Sequence, residues 1–389
     1  MIPGIPFTSR RWPIGLDLGA DSIKMLQMQR SSGQIRVSAC GRWQVPASID
    51  ANPAQYREAA ASAIGNMLRE GKFRGRRAVS ALSSDQLTIK NVRLPIMPPG
   101  ELPDAVLWEA KERFDFEISH DRLAYFNAGE VRQGTETGQE IIMMAVPSEV
   151  LDDHMALLSD SGLSPEHIDA QPVALFRSFE RFLRRRADDD TVSVLVDIGL
   201  NTTRVVVARG RQIVFIKSVD IAGRKLNEAV AKQLNLGYAE ASELRSRIMR
   251  EFESGDFADK DSNAAMGPES VSWTVYDALR AEAEALAREV SLCLQYCLVT
   301  FRGLRPRNIT ITGGQAYDPA LIELLSKNLN LECVIGRPMR NIDVSGADVG
   351  ADRRGMMCEW AVCSGLAIRD MDTRCSARRS EDAERRLSA

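Results

Sequence analysis

Histidine and aromatic residues are scarce in this chain, and no long apolar run interrupts it. There are three histidines in 389 residues, and only 6% of residues are aromatic. A surface that stacks nucleic-acid bases needs more rings than that. The formal net charge is -3, so no overall excess of cations points to a phosphate backbone. The densest apolar stretch, IIMMAVP, is far short of the roughly 18 residues that a membrane helix requires. The opening MIPGIPFTSRRW lacks the apolar core of a secretory leader. A cytoplasmic location with no direct membrane insertion and no polybasic anchor is therefore expected. Seven cysteines, an odd number without framework spacing, run from Cys40 to Cys375 and fit reduced thiols. Cys293 with Cys297, Cys358 with Cys363, and the scattered His120, His154 and His167 do not assemble four convergent zinc ligands.

What the chain does have is 44% apolar and 26% charged residues over a length that suits two or three domains. IGLDLGADSIKMLQM, from Ile14 to Met28, reads as an apolar strand, a tight glycine turn and a second strand. Asp17 and Lys24 flank the turn, seven residues apart. As an isolated buried pair they would gain little after desolvation. The same unit recurs 180 residues later. SVLVDIGLNTTRVVVARGRQIVFIKSVDI places Asp197 and Arg204 at the same seven-residue spacing around Gly199. A third strand-like run follows each copy, IRVSACGRWQV and QIVFIKSV. Repetition of spacing and context signals an internal duplication.

The third element is NITITGGQA, a β-branched strand ending in Gly313-Gly314 before the helix PALIELLSKNLN. Glycine at a strand end lets a ligand approach the backbone. Two D-x-G hairpins and one strand-Gly-Gly resemble the parts of the actin-like nucleotide fold. That resemblance implies a duplicated α/β ATPase fold with two lobes around a cleft. The turns at Gly19 and Gly199 would offer N–H groups to phosphates, with Ser22, Thr202 and Thr203 adding hydroxyls. Asp17 and Asp197 would hold Mg²⁺ through water, Lys24 would meet the phosphates of ATP, and Gly313 and Gly314 would face the adenosine.

Between the copies the pattern departs from a plain half. A helix is expected over AQYREAAASAIGNMLREG and a strand over RRAVSALSS. Then come a strand in QLTIKNVRLPIMP and a helix in ELPDAVLWEAKERF. Strands in LAYFNAGEV and EIIMMAVP and a helix in SEVLDDHMALLSDSG follow. This reads as a small α+β insert in the first lobe. The long stretch TVYDALRAEAEALAREVSLCLQYCLVTFRG places Val275, Leu279, Leu286, Val290, Cys293, Cys297 and Phe301 on one helical stripe, as a core helix would. Ala361 and Gly365, four apart, permit a close helix crossing.

IGLDLGADSIKMLQM, VRLPIMPPGELPDAVLWEAKERFDFEI, LVDIGLNTT, IAGRKLNEAVAKQLNL and ITGGQA resemble, in this chain order, the PilM family of type IV pilus assembly. The likeness runs from about Trp12 to Arg369. It implies an ATP-binding scaffold that docks the cytoplasmic tail of a PilN-like inner-membrane protein, alongside other pilus platform proteins. On this reading the chain sits at the inner membrane through that partner. The docking groove is expected along the strand from Leu87 to Val92, with Leu87, Ile89 and Val92 as partner-binding residues. Where the family often carries a lysine near the ribose and adenine, AEASELRSR offers Arg245, a differently shaped cation. FESGDFADKDSNAAMGPESVS reads as a long loop.

The expected divisions are 12–85 for the first lobe, 86–168 for the insert and 169–190 for the return and connector. The second lobe spans 191–349, a returning C-terminal helix 350–370, and a solvated tail 371–389. Two other readings use the same cleft: a small-molecule kinase, and a filament protein resembling the cell-division protein FtsA. The kinase would need a substrate pocket with a base. The FtsA-like reading would need an amphipathic terminal helix, and RDMDTRCSARRSEDAERRLSA lacks an apolar face. No catalytic residue that positions water is evident, so weak ATP hydrolysis is left open.

Overall fold

The computed structural model describes residues 12–31, 33–46, 53–133, 136–183, 185–253, 271–301, 305–345 and 356–370. The expected loop after residue 253 and the C-terminal tail lie outside them. In the first lobe, strands β1 (Ile14–Leu18), β2 (Ser22–Ser31) and β3 (Gln34–Gln44) form an antiparallel meander. Helix α1 (Pro53–Glu70) leads to β4 (Arg77–Leu82), which pairs parallel to β1. The strands β5 (Thr88–Pro95), β6 (Leu123–Gln133) and β7 (Glu136–Ala145), with α2 (Leu102–Arg113), make the insert. Its sheet order is β5-β7-β6, with Val92, Val106, Ala110 and Ile141 in its core.

Helix α3 (Ser148–Asp160) and β8 (Ser164–Ala170) return to the first lobe. The segment expected as one insert, 86–168, is thus divided. Leu157, Leu158 and Leu163 pack with Ile14, Leu16 and Ile64, and β8 extends the first sheet beside β4. Leu157 and Leu158 of α3 pack with α1 and β1, while Val150 and Leu151 near its start lie against the core that includes Ile142 and Met144 of the insert.

Helix α4 (Gln171–Glu180) connects to the second lobe: β9 (Val192–Ile198), β10 (Thr203–Arg209), β11 (Gln212–Val219), α5 (Gly223–Leu234), α6 (Tyr238–Glu253), α7 (Val271–Thr300), β12 (Asn308–Thr312), α8 (Pro319–Leu329), β13 (Glu332–Ile335) and the returning α9 (Ala361–Ala367). The sheet orders β3-β2-β1-β4-β8 and β11-β10-β9-β12-β13 correspond strand for strand. In each, an antiparallel meander is followed by two parallel strands. The chain is therefore a duplicated two-lobed α/β protein with the actin-like plan. β1 and β9 read as near-continuous apolar runs because central strands are buried on both faces. The α7 stripe at Val275, Leu279, Leu286, Val290, Cys293 and Cys297 is buried in the second core.

One core joins all three parts. Leu195 and Val206 of the second lobe, Ala174 and Leu175 of α4, Leu366 of α9, and Ile142 and Met144 of the insert pack together. Across this contact Gln212 Nε2 donates to Asn127 O at 2.7 Å, and Tyr296 Oη donates to buried Glu140 at 2.7 Å. Burial and the adjacent carboxylate push the Tyr296 phenol up to about 12. Among the described residues no helix is long and apolar enough to cross a membrane.

Candidate functional site

The two hairpins point their turns at each other. In β1–β2 the cross-strand partners are Asp17 and Lys24, and in β9–β10 they are Asp197 and Arg204. Each turn is closed in the same way. Gly19 N donates to Ser22 O at 3.2 Å, and Gly199 N donates to Thr202 O at 3.1 Å. Between them lies a cleft of about 1140 Å³, lined by Asp17, Gly19, Ser22 and Lys24 from one lobe and Asp197, Gly199, Thr202 and Arg204 from the other. Gly313 and Gly314, at the end of β12, line it as well.

The charges are buried and paired. Lys24 Nζ lies 3.5 Å from Asp17 Oδ2, and Arg204 is ion-paired with Asp197 through Nη1. Asp17 Oδ1 also accepts from Gln171 Nε2 at 3.2 Å, and Asp197 Oδ1 from Thr312 Oγ1 at 3.0 Å. Among the described residues, two buried polar atoms of this cleft have no partner: Gln171 Oε1 and Arg204 Nε. An unpaired buried polar atom costs about 1–3 kcal/mol. Paired carboxylates and cations with orphaned polar atoms are the donor set that suits a polyphosphate carrying a hydrated divalent cation.

The glycines divide by role. A Cβ on Gly313, whose φ is +88°, would lie 2.4 Å from Ile198 O, and one on Gly199 would lie 3.0 Å from Thr202 O. Both positions are dictated by backbone packing. A Cβ on Gly314 would meet nothing within 4 Å, so this glycine leaves open space at the cleft wall.

Several expected site residues lie elsewhere. Thr203 turns its Oγ1 onto Ile221 O at 2.6 Å, because the strand alternation aims it away from the cleft. Arg245 is 1% exposed, bonded to Asn227 Oδ1, Gln315 Oε1 and Asp318 Oδ2 at 2.6, 2.9 and 2.7 Å. It braces α6 against the start of α8 and is not among the residues that line the cleft. Leu87 and Val92 are buried in cores, and Ile89 is half-buried against one. What β5 exposes is the edge of its backbone, paired on one side with β7.

Other cleft residues carried no sequence signal. Gln171 opens α4, and Glu359 accepts from Tyr317 and lies 3.7 Å from Arg42. Burial beside Cys358 and Glu359 raises the Tyr317 phenol far above its ordinary range. His154 of α3 also lines the cleft, with Nε2 3.1 Å from Ser80 Oγ. Ser80 Oγ donates to Leu16 O, so it accepts from His154, which places the proton on Nε2. Burial pushes this imidazole down to about 4.

Residues 15–371 match the family described as type IV pilus assembly protein PilM. The chain belongs to the PilM family. Among solved structures, a PilM–PilN type IV pilus biogenesis complex is 24% identical with a TM-score of 0.71, covering 92% of this chain and 98% of that one. The ethanolamine utilization protein EutJ from Carboxydothermus hydrogenoformans is 14% identical with a TM-score of 0.53, covering 94% and 91%. Both share the two-lobed fold with this PilM-family chain.

Proposed function

We propose that this chain is an ATP-binding scaffold of type IV pilus assembly. The observation that carries the reading is the pair of matched hairpins, each with an aspartate and a base, facing one cleft with two orphaned polar atoms. Asp17 and Asp197 would hold hydrated Mg²⁺. Lys24, Arg204 and the hydroxyls of Ser22 and Thr202 would take the phosphates. The N–H groups of Gly19 and Gly199 are used inside their turns, so the turns' remaining N–H groups would serve. Gly314 leaves room for the adenosine. Arg245 supports that wall from behind through Gln315, itself a cleft residue.

MgATP supplies a transferable phosphoryl group, and hydrolysis would require a positioned water. Gln171, bonded to Asp17 with Oε1 free, is the side chain placed to orient one. The reading includes at most weak ATPase activity, with nucleotide serving mainly to set the angle between lobes.

The similar solved structure is a PilM–PilN complex. We infer that this chain likewise docks the cytoplasmic tail of a PilN-like inner-membrane protein, and through it sits in the cytoplasm at the membrane beside other platform proteins. The insert is the docking module, with the free edge of β5 as the surface for an extended tail. Calorimetry with MgATP, and anisotropy of a labelled tail peptide titrated with the protein, test the two halves separately. Micromolar or tighter binding is expected in each. Absence of nucleotide binding would overturn the cleft assignment, and absence of tail binding would overturn the docking assignment.

A further inference from the structure

At the far end of β2 from the cleft lies a second concavity, of about 350 Å³. It is lined by Arg36, Lys72 and Arg74 together with Gln29, Ser38 and Phe73, and no carboxylate among the described residues lines it. Some surface arginines elsewhere are ion-paired, as in Arg57 with Asp153 and Arg209 with Asp190. Among the described residues Arg36, Lys72 and Arg74 have no ion pair within 4 Å, and Arg36 Nε is buried without a hydrogen-bond partner. The carboxylate of Asp343, whose backbone bridges Arg36, accepts from Ser345 N and Oγ at 2.9 and 2.6 Å; it is beyond ion-pair distance of Arg36 but still feels its charge.

Three cations held together repel one another, so something must fix them. Gln27, 2% exposed, clamps the loop from within: its Nε2 donates to Arg74 O at 2.8 Å and its Oε1 accepts from Arg74 N at 2.9 Å. Ser38 Oγ donates to Gln27 O, tying β3 to the same point. Gly75, at φ +78°, lets the chain turn back into β4. The backbone that carries Arg74 is thus anchored to β2, beside β3 with Arg36. Gln29 lies seven residues beyond Ser22 on β2, roughly 20 Å along the strand. One nucleotide therefore cannot serve both places.

We propose that this concavity binds a phosphate-bearing anion, either a phospholipid headgroup or a free phosphate compound. Arginine and lysine around one pocket match phosphate oxygens through charge-assisted hydrogen bonds, and Arg36 Nε supplies an unspent buried donor. The proposal does not depend on the nucleotide reading.

The test uses the full-length protein with two probes: vesicles of phosphatidylglycerol in phosphatidylcholine, read by co-sedimentation, and inorganic pyrophosphate, read by calorimetry. The variant is Lys72→Gln/Arg74→Gln, with Lys111→Gln/Lys232→Gln as an equal charge change on exposed helical sites. Each lysine or arginine near an anionic surface contributes about 1 kcal/mol, so the first variant should lose about tenfold or more, and high salt should abolish the rest. The component removed by that variant is what counts, since the cleft also has phosphate donors. Loss on vesicles alone identifies a headgroup, and loss on pyrophosphate identifies a free ligand. No binding of either probe would overturn the proposal. So would equal losses in both variants.

Discussion

The backbone of Gly365 lies against Ala174 so closely that an added Cβ would stand 1.8 Å from the Ala174 carbonyl oxygen. This is where α4 and α9 cross beneath the cleft, and a Cβ on Gly15 would in turn meet Ala367 N at 2.6 Å. The crossing has no slack. Overpacking a tight core costs about 1–3 kcal/mol, and more where backbone is the obstacle. Gly365→Ala should lower the urea midpoint by at least that equivalent with an unchanged slope. A variant as stable as the parent would show that the two helices are not in this contact.

Lys24 is 7% exposed and its ammonium faces Asp17 across the first hairpin. If it meets the nucleotide phosphates, Lys24→Ala removes a charge-assisted hydrogen bond of about 1.5–3 kcal/mol. Affinity for MgATP should fall about ten- to a hundredfold. Calorimetry on the folded variant reads this directly, and unchanged affinity would remove Lys24 from the phosphate site.

Gly313 and Gly314 should separate packing from binding. Gly313→Ala must strain both its φ and the contact with Ile198 O, so it should destabilise the protein even without ligand. Gly314→Val adds bulk only to open space. It should leave the melting temperature of the free protein within a degree or two while weakening MgATP by tenfold or more, an order-of-magnitude expectation for a blocked pocket wall. A Gly314→Val protein with full nucleotide affinity would place the adenosine elsewhere.

His154 makes stability depend on acid. Its folded pKa, about 4, lies below the ordinary imidazole value of 6.5. The unfolded chain therefore binds a proton that the folded protein refuses between those values. Stability contributed by the neutral buried ring is intact above about pH 6.5 and is lost as pH falls towards 4. The slope is at most about 1.4 kcal/mol per pH unit. Urea midpoints at pH 7 and pH 5 should differ more for the parent than for His154→Gln. Parallel pH profiles would mean that the ring is not buried neutral.

Much of this protein was legible in the chain itself, for a local reason. A tight turn fixes the register of its hairpin, so seven residues from Asp17 to Lys24, and from Asp197 to Arg204, made each pair cross-strand partners. Hydrophobic periodicity likewise marked the buried face of α7. Tertiary structure decided what depends on distant segments. Gln171 reaches Asp17 across 154 positions, and Arg245 reaches Asp318 across 73, so neither the cleft's extra amide nor the removal of Arg245 from it could be read locally. The same holds for α3. The sequence marked it as a helix, but only the packing of Leu157 and Leu158 with Ile14 and Ile64 tied its later turns to the first lobe. A sequence states which faces are apolar and which residues are close along a strand. Which two faces meet is settled only when the whole chain competes for the same cores.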